Sequence, residues 1–117
     1  MLIRDIKNKL HGKEDNKPVY FDFCALSPTA VDSWRGSYNL PAIGWAQKTP
    51  ITVKELLEEL NTATSGRIYY GYKGGEYTFN EDHDLYVDNY GVFSETMITD
   101  VLDKGWCVIL CTQRIDY

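Results

Sequence analysis

The segment Thr52-Val53-Lys54-Glu55-Leu56-Leu57-Glu58-Glu59-Leu60-Asn61-Thr62-Ala63 most narrows the folds open to this chain. Thr52 followed three residues later by Glu55 forms a capping box, in which each side chain takes an amide of the first helical turn, and Ile51 stands where it can pack on Leu56 as a hydrophobic staple. Leu56, Leu57 and Leu60 recur at helical spacing, Lys54, Glu55, Glu58 and Glu59 face the other way, and Gly66 stops the helix. A helix with one apolar stripe gains most of its stability by laying that stripe on another element. We read it as scaffold without a part in chemistry.

The other periods supply the layer it needs. Val19, Phe21 and Phe23 alternate with Tyr20, Asp22 and Cys24, as in a strand with one apolar face. Leu40 to Ala46 reads as a second strand, with Pro41 at its start. Residues 67–79 read as two strands about a Gly74-Gly75 turn, and Leu85 to Tyr90 as a short strand. Ser94 to Leu102 and Trp106 to Arg114 form a hairpin across Asp103-Lys104-Gly105. On the last strand Trp106, Val108, Leu110, Thr112 and Arg114 share one face, while Cys107, Ile109 and Cys111 share the other, where core filling is expected. Leu2, Ile3, Ile6 and Leu10 predict a short N-terminal helix with Arg4, Asp5, Lys7 and Lys9 on its polar side. Together these predict a single α+β domain over residues 1–117, with a small mostly antiparallel sheet and two helices. A chain of that length buries a core without disulfides or metal.

Ala25 to Asn39 carries no long periodicity, and irregular connections beyond about 12 residues are uncommon in compact domains unless they bind something or hold short elements of their own. Within it lies Asp32-Ser33-Trp34-Arg35-Gly36-Ser37-Tyr38. A guanidinium between two rings suits recognition, since Arg grips phosphate or carboxylate bidentately while Trp34 or Tyr38 covers a flat group. The other reading is an Asp32 to Arg35 ion pair that pins a loop, with Trp34 and Tyr38 in the core. Asp22, between two phenylalanines, is read as the solvent side of an edge strand or as a polar group in a ligand cavity. Arg114 continues a mostly apolar row and either reaches a pocket from its end or stands exposed. Asn89 and Tyr90 fall at a strand end, a common place for binding groups to project.

Charge and chemistry remove several classes. Twelve basic against seventeen acidic residues, a net charge of −5, oppose a duplex- or RNA-binding module that works by phosphate neutralisation. A small nucleotide remains open, because one or two well-placed arginines decide a pocket. No apolar run approaches the roughly 20 residues that span a bilayer and no signal-peptide segment is visible, so a soluble, cytoplasmic protein without membrane contact is expected. The three cysteines, Cys24, Cys107 and Cys111, form no metal-like cluster. Glu81, Asp82 and Asp84 around His83 lack the calcium-loop pattern and read as a solvated turn. Gly71-Tyr72-Lys73-Gly74-Gly75 lacks the order of a P-loop. His11 and His83 stand near no nucleophile motif, so we expect no enzyme, no cofactor and no metal. Nine Tyr against four Phe, a Trp-Arg loop and sparse Arg are features of recognition.

Tyr20-Phe21-Asp22-Phe23, Asp32-Ser33-Trp34-Arg35-Gly36-Ser37-Tyr38, Thr52-Val53-Lys54-Glu55-Leu56-Leu57, Gly71-Tyr72-Lys73-Gly74-Gly75-Glu76 and Val87-Asp88-Asn89-Tyr90-Gly91 together resemble small phage-encoded anti-defence proteins. The likeness is to the anti-Thoeris sponge family, which sequesters a cyclic ADP-ribose signal without cleaving it. The resemblance implies a homo-oligomeric α+β protein in the host cytoplasm, with a pocket near a subunit contact for a small cyclic nucleotide. It implies Phe79 and Asn89 on the base and Arg35 and Arg114 on phosphate; Trp34, Tyr38 and Tyr90, read from the residues themselves, complete the expected ligand site. Such a sponge needs affinity without turnover, which rings and bidentate donors supply. The competing expectation is an acidic phage inhibitor that blocks a host nucleic-acid-binding defence complex by direct protein contact, presenting the acids from Glu76 to Asp88 as a DNA-like surface. A small enzyme with an unrecognised site is the third.

Overall fold

The computed structural model describes residues 1–23, 26–33, 41–46, 49–70, 74–88 and 95–115. The expected elements form where the periods place them, and one unexpected strand joins them. Helix α1 spans Ile3–Leu10 and α2 spans Val53–Ala63; the strands are β1 (Val19–Phe21), β2 (Ser27–Ser33), β3 (Pro41–Ala46), β4 (Tyr69–Tyr70), β5 (Glu76–Tyr77), β6 (Tyr86–Val87), β7 (Glu95–Asp103) and β8 (Val108–Ile115). Six strands make one sheet in the order β1-β8-β7-β6-β3-β2, and β4 and β5 pair apart from it. Only β1 with β8 and β3 with β6 run parallel; the other pairs are antiparallel. The fold is therefore α+β with a mostly antiparallel sheet.

Strand β2 corrects the reading of residues 25–39 as irregular. Ser27-Pro28-Thr29-Ala30 has no apolar alternation to announce a strand, yet it pairs with β3 at the sheet's margin, where proline is tolerated. At the other margin, the Phe21 amide donates to Leu26 O at 2.8 Å and the Ser27 hydroxyl to Val19 O at 3.2 Å. The first and last strands of the order therefore touch, which requires a strongly curved sheet.

Both helices fill one side of that sheet. Ile3, Ile6 and Leu10 of α1 and Val53, Leu56, Leu60 and Ala63 of α2 are buried against Val19, Phe21, Val31, Ile43, Val87, Ile98, Val101, Val108 and Leu110. Leu57 packs only partly, so Val53 and Ala63 complete the stripe that the leucines alone were expected to make. The capping box forms as expected: Thr52 Oγ1 accepts from the Glu55 amide at 3.2 Å, and the Thr52 amide donates to Glu55 Oε1 at 3.0 Å. Thr52→Ala should cost about 1 kcal/mol, the usual value for an N-cap. That corresponds to a melting temperature lower by about 3 to 6 °C for a domain of this size, measured by calorimetry.

Three features expected to stand free in water are tied into the fold: the side chains of Lys7 and Glu59, and the acidic turn. Lys7 is 6% exposed; its ammonium lies 2.7 Å from Glu81 Oε1 and 2.8 Å from Thr64 Oγ1, while its stem packs with the core. The acidic turn is likewise no free loop. His83 O and Glu81 O accept the amides of Ile3 and Arg4 at 2.9 and 3.0 Å, capping α1 where Leu2 has no side-chain cap. Glu59, the third, joins a network around Val31. The β2–β3 register shifts between Pro28 and Val31, a bulge that turns peptide groups away from the ladder. The Val31 amide donates to Glu59 Oε2 at 2.6 Å, its carbonyl accepts from the Tyr69 hydroxyl at 3.2 Å, and Arg67 grips Glu59 with two bonds of 2.8 and 2.9 Å.

Candidate functional site

Of the seven residues expected in a ligand site, Trp34, Arg35, Tyr38, Asn89 and Tyr90 lie outside the described residues, and Phe79 and Arg114 lie within them. Phe79 is a correction. It is 2% exposed and packed by Tyr69, Tyr77 and His83, with ring centroids 4.8, 5.3 and 5.5 Å away. No face of its ring is left for a base, so its role is to hold the β4–β5 hairpin to the rest of the chain.

Arg114 stands exposed near the end of β8, where the strands bring two expected regions to one place. Val87 pairs with Thr96 and Thr96 with Arg114, a row across β6, β7 and β8. Neighbouring strands lie about 4.8 Å apart, which puts the Arg114 backbone ~10 Å from Val87. Residues 89–94 connect Asp88 to Glu95, so the segment carrying Asn89 and Tyr90 leaves and re-enters beside this row. Its departure point is held firmly. The Asp88 amide donates to Ile43 O at 2.9 Å, and Trp45 Nε1 donates to Asp88 O at 2.6 Å. Trp45 in turn meets Phe23 edge-on at 6.2 Å, and Phe23 stacks on Phe21 at 5.0 Å. No local pattern marks Trp45 as the anchor of Asp88, because the bond joins residues 43 positions apart.

The segment 34–40 departs elsewhere. It joins Ser33 to Pro41, which pair with each other. Because β6 runs parallel to β3, Asp88 ends its strand at the opposite end from Pro41. The strand directions set Val87 and Thr96, which flank residues 89–94, in one row with Arg114, and the Ser33–Pro41 pair lies towards the other end of β3.

Asp22 is exposed just after the margin strand β1, which agrees with the solvent-side reading and not with a ligand cavity. Its two oxygens accept from the Thr112 amide at 2.8 Å and the Thr112 hydroxyl at 2.6 Å, fixing the turn after β1 to β8.

A second surface, which sequence reasoning missed, lies on the outer face of the sheet. Trp106 was expected in the row with Val108 and Leu110 but stands before β8 begins, 69% exposed. Its ring leans on Tyr20 with centroids 5.9 Å apart, and Tyr20, Phe21, Trp106, Cys107 and Ile109 line a hollow of about 300 Å³. Cys107 is buried, whereas Ile109 and Cys111 are only half-covered, so the expected core filling on this face is incomplete. Burial, followed by the Asp22 and Asp100 carboxylates, pushes the Cys111 thiol up, away from the reactive thiolate.

No family model, curated protein or solved structure matches this chain. Among the described residues, no helix is long and apolar enough to cross a membrane, and no group of three His, Cys, Asp or Glu side chains is placed to hold a metal ion.

Proposed function

We propose that this protein captures a small cyclic nucleotide of the cyclic ADP-ribose class and holds it without cleaving it, an anti-defence role in the host cytoplasm. One observation carries the reading. The Val87–Thr96–Arg114 register puts the Arg114 backbone in one row with the two residues that flank the sequence bearing an amide, Asn89, and a ring, Tyr90. Bidentate phosphate binding by Arg114, with Asn89 and Tyr90 on the base, uses each group for what its chemistry does best. Phe79 has no place in this site.

The alternative, a DNA-like acidic surface, has less support. Glu81 is paired with Lys7 at 2.7 Å, and Asp82 with Arg4 at 2.5 Å. The hydrogen bond from Lys7, then its charge, holds the Glu81 carboxyl below the usual range. Acids neutralised by their own helix make a poor imitation of a phosphate backbone.

The test is calorimetric titration with a cyclic ADP-ribose isomer, followed by heat denaturation and mass spectrometry of the released ligand. An unaltered nucleotide is expected. Arg114→Ala should weaken binding by about 10- to 100-fold, the loss of a charge-assisted bond worth roughly 1.5 to 3 kcal/mol. Arg35→Ala, measured in parallel, reports whether the 34–38 segment shares the site. An altered product would make the protein an enzyme, and no heat of binding would end the nucleotide reading.

A further inference from the structure

Helix α1 is tied to the rest of the chain at every cation it carries. The Lys7 ammonium lies 2.7 Å from Glu81 Oε1, Arg4 Nη2 lies 2.5 Å from Asp82 Oδ1, and Lys9 Nζ lies 2.8 Å from Asp100 Oδ1. Each carboxylate comes from outside the helix, two from the turn at residues 80–84 and one from β7. The same turn offers the Glu81 and His83 carbonyls to the Arg4 and Ile3 amides. A helix of eight residues is unstable by itself in water. It therefore depends on these ties and on the burial of Ile3, Ile6 and Leu10.

The three pairs are unequal. Arg4 with Asp82 and Lys9 with Asp100 are exposed, and exposed pairs contribute little. The Lys7 side chain is only 7% exposed, and besides Glu81 it reaches Thr64 Oγ1 at 2.8 Å. Protonating Glu81 leaves this ammonium buried among neutral oxygens with its counter-charge gone, a change that is strongly destabilising. The network around Val31 answers acid differently. When Glu59 takes up a proton, Arg67, 30% exposed, keeps more water about it and still reaches the Tyr69 hydroxyl at 3.3 Å and Val31 O at 3.4 Å.

We propose that α1 is an acid-released latch, which leaves the sheet below about pH 4 while α2 and the β7–β8 hairpin keep their structure, uncovering the core surface beneath Ile3, Ile6 and Leu10. The charged and titratable groups around the Lys7–Glu81 pair are Arg4 and Asp5 on α1, Asp82, His83 and Asp84 on the turn, and Asp100 on β7; α2 presents the uncharged Thr64. Asp84 lies 3.1 Å from the Met1 amine. The Lys7 hydrogen bond and charge hold the Glu81 carboxyl below the usual range, and the Lys9 hydrogen bond, then the Val101 amide, does the same for Asp100. Carboxyls depressed in this way contribute stability that is complete above their unfolded values of about 4 and is lost as pH falls through the folded ones, so the latch is shut at neutral pH. It does not depend on the nucleotide reading.

Amide hydrogen exchange of the full chain, resolved by nuclear magnetic resonance and corrected for the intrinsic pH dependence of exchange, tests the latch at about pH 7 and about pH 3.5, on either side of the carboxyl range. Protection of the α1 amides from Ile6 to His11 is expected to fall at least ~10-fold further than that of the β7–β8 ladder. Glu81→Gln, which keeps the shape of the neutral acid, should lower α1 protection at neutral pH by a similar factor. Lys7→Met, which keeps a buried stem and removes the charge, should hold α1 closed at about pH 3.5. An α1 that stays protected in the wild type at the lower pH overturns the proposal, as does a loss of protection shared equally by every element. So does a Lys7→Met variant that opens in acid as the wild type does, or a Glu81→Gln variant whose α1 is protected as before.

Discussion

Leu110→Ala is expected to lower stability by about 2 to 5 kcal/mol, the range for deleting a fully buried leucine from a core that only partly collapses. Ile109→Ala, one residue earlier, should cost less than half of that. The difference is the pleat of β8. Leu110 is 1% exposed and pairs with Phe21 and Val101, both buried on the helix side. Ile109 points the other way, into the half-open row with Tyr20 and Leu102. Chemical denaturation of both variants measures the contrast, and equal losses would mean that the outer face is as closed as the inner one.

Glu59→Ala should destabilise the chain by about 1 to 3 kcal/mol, because the cut leaves partners behind rather than merely removing a contact. The Val31 amide, freed from the ladder by the bulge, loses its acceptor, and Arg67 loses the carboxylate it holds with two bonds. Burial alone pushes the Glu59 carboxyl up, but the hydrogen bonds from Arg67 and the Val31 amide, aided by the Arg67 charge, hold it below its ordinary value. Arg67 is raised in return, first by its hydrogen bond to Glu59, and stays charged throughout. The sign follows from linkage. A carboxyl whose folded pKa is depressed contributes stability that is complete above its unfolded pKa of about 4.3 and is lost as pH falls through the folded value. Wild-type stability should therefore drop below about pH 4 by more than that of Glu59→Ala, compared by denaturant titration at both pH values. A variant within about 0.5 kcal/mol of wild type at neutral pH would reduce the network to a surface ornament.

The network also shows where legibility in the sequence stopped. Glu59 follows Glu58 on the polar side of a helix, and no local pattern marks it as different. What draws it inward is a bulge in a strand some thirty residues earlier and an arginine one turn beyond the helix end. Lys7 was misplaced for the same reason: its partners, Thr64 and Glu81, come from two distant segments. By contrast, the α2 capping box, the β7–β8 hairpin and the alternation of β1 were all readable, because each is fixed by neighbours within a few residues. Of the candidate site, Arg114 was legible as the end of a strand. Its place in one row with Val87 and Thr96 was not, since it depends on β6 pairing with β7 and β7 with β8.

By itself the sequence determined both helices and, β2 apart, where the main strands run and which of their residues share a face, since those follow from 3.6- and 2-residue periods and from caps made by adjacent side chains. The tertiary structure alone decided which faces are covered. Val108 and Ile109 look equally apolar in the sequence, yet two helices lie on one and open solvent on the other. Trp106 continues the alternation of the inward row and still stands outside the core. A period orders side chains about one element's own axis; burial depends on a second layer whose position is set by contacts between segments far apart in the chain.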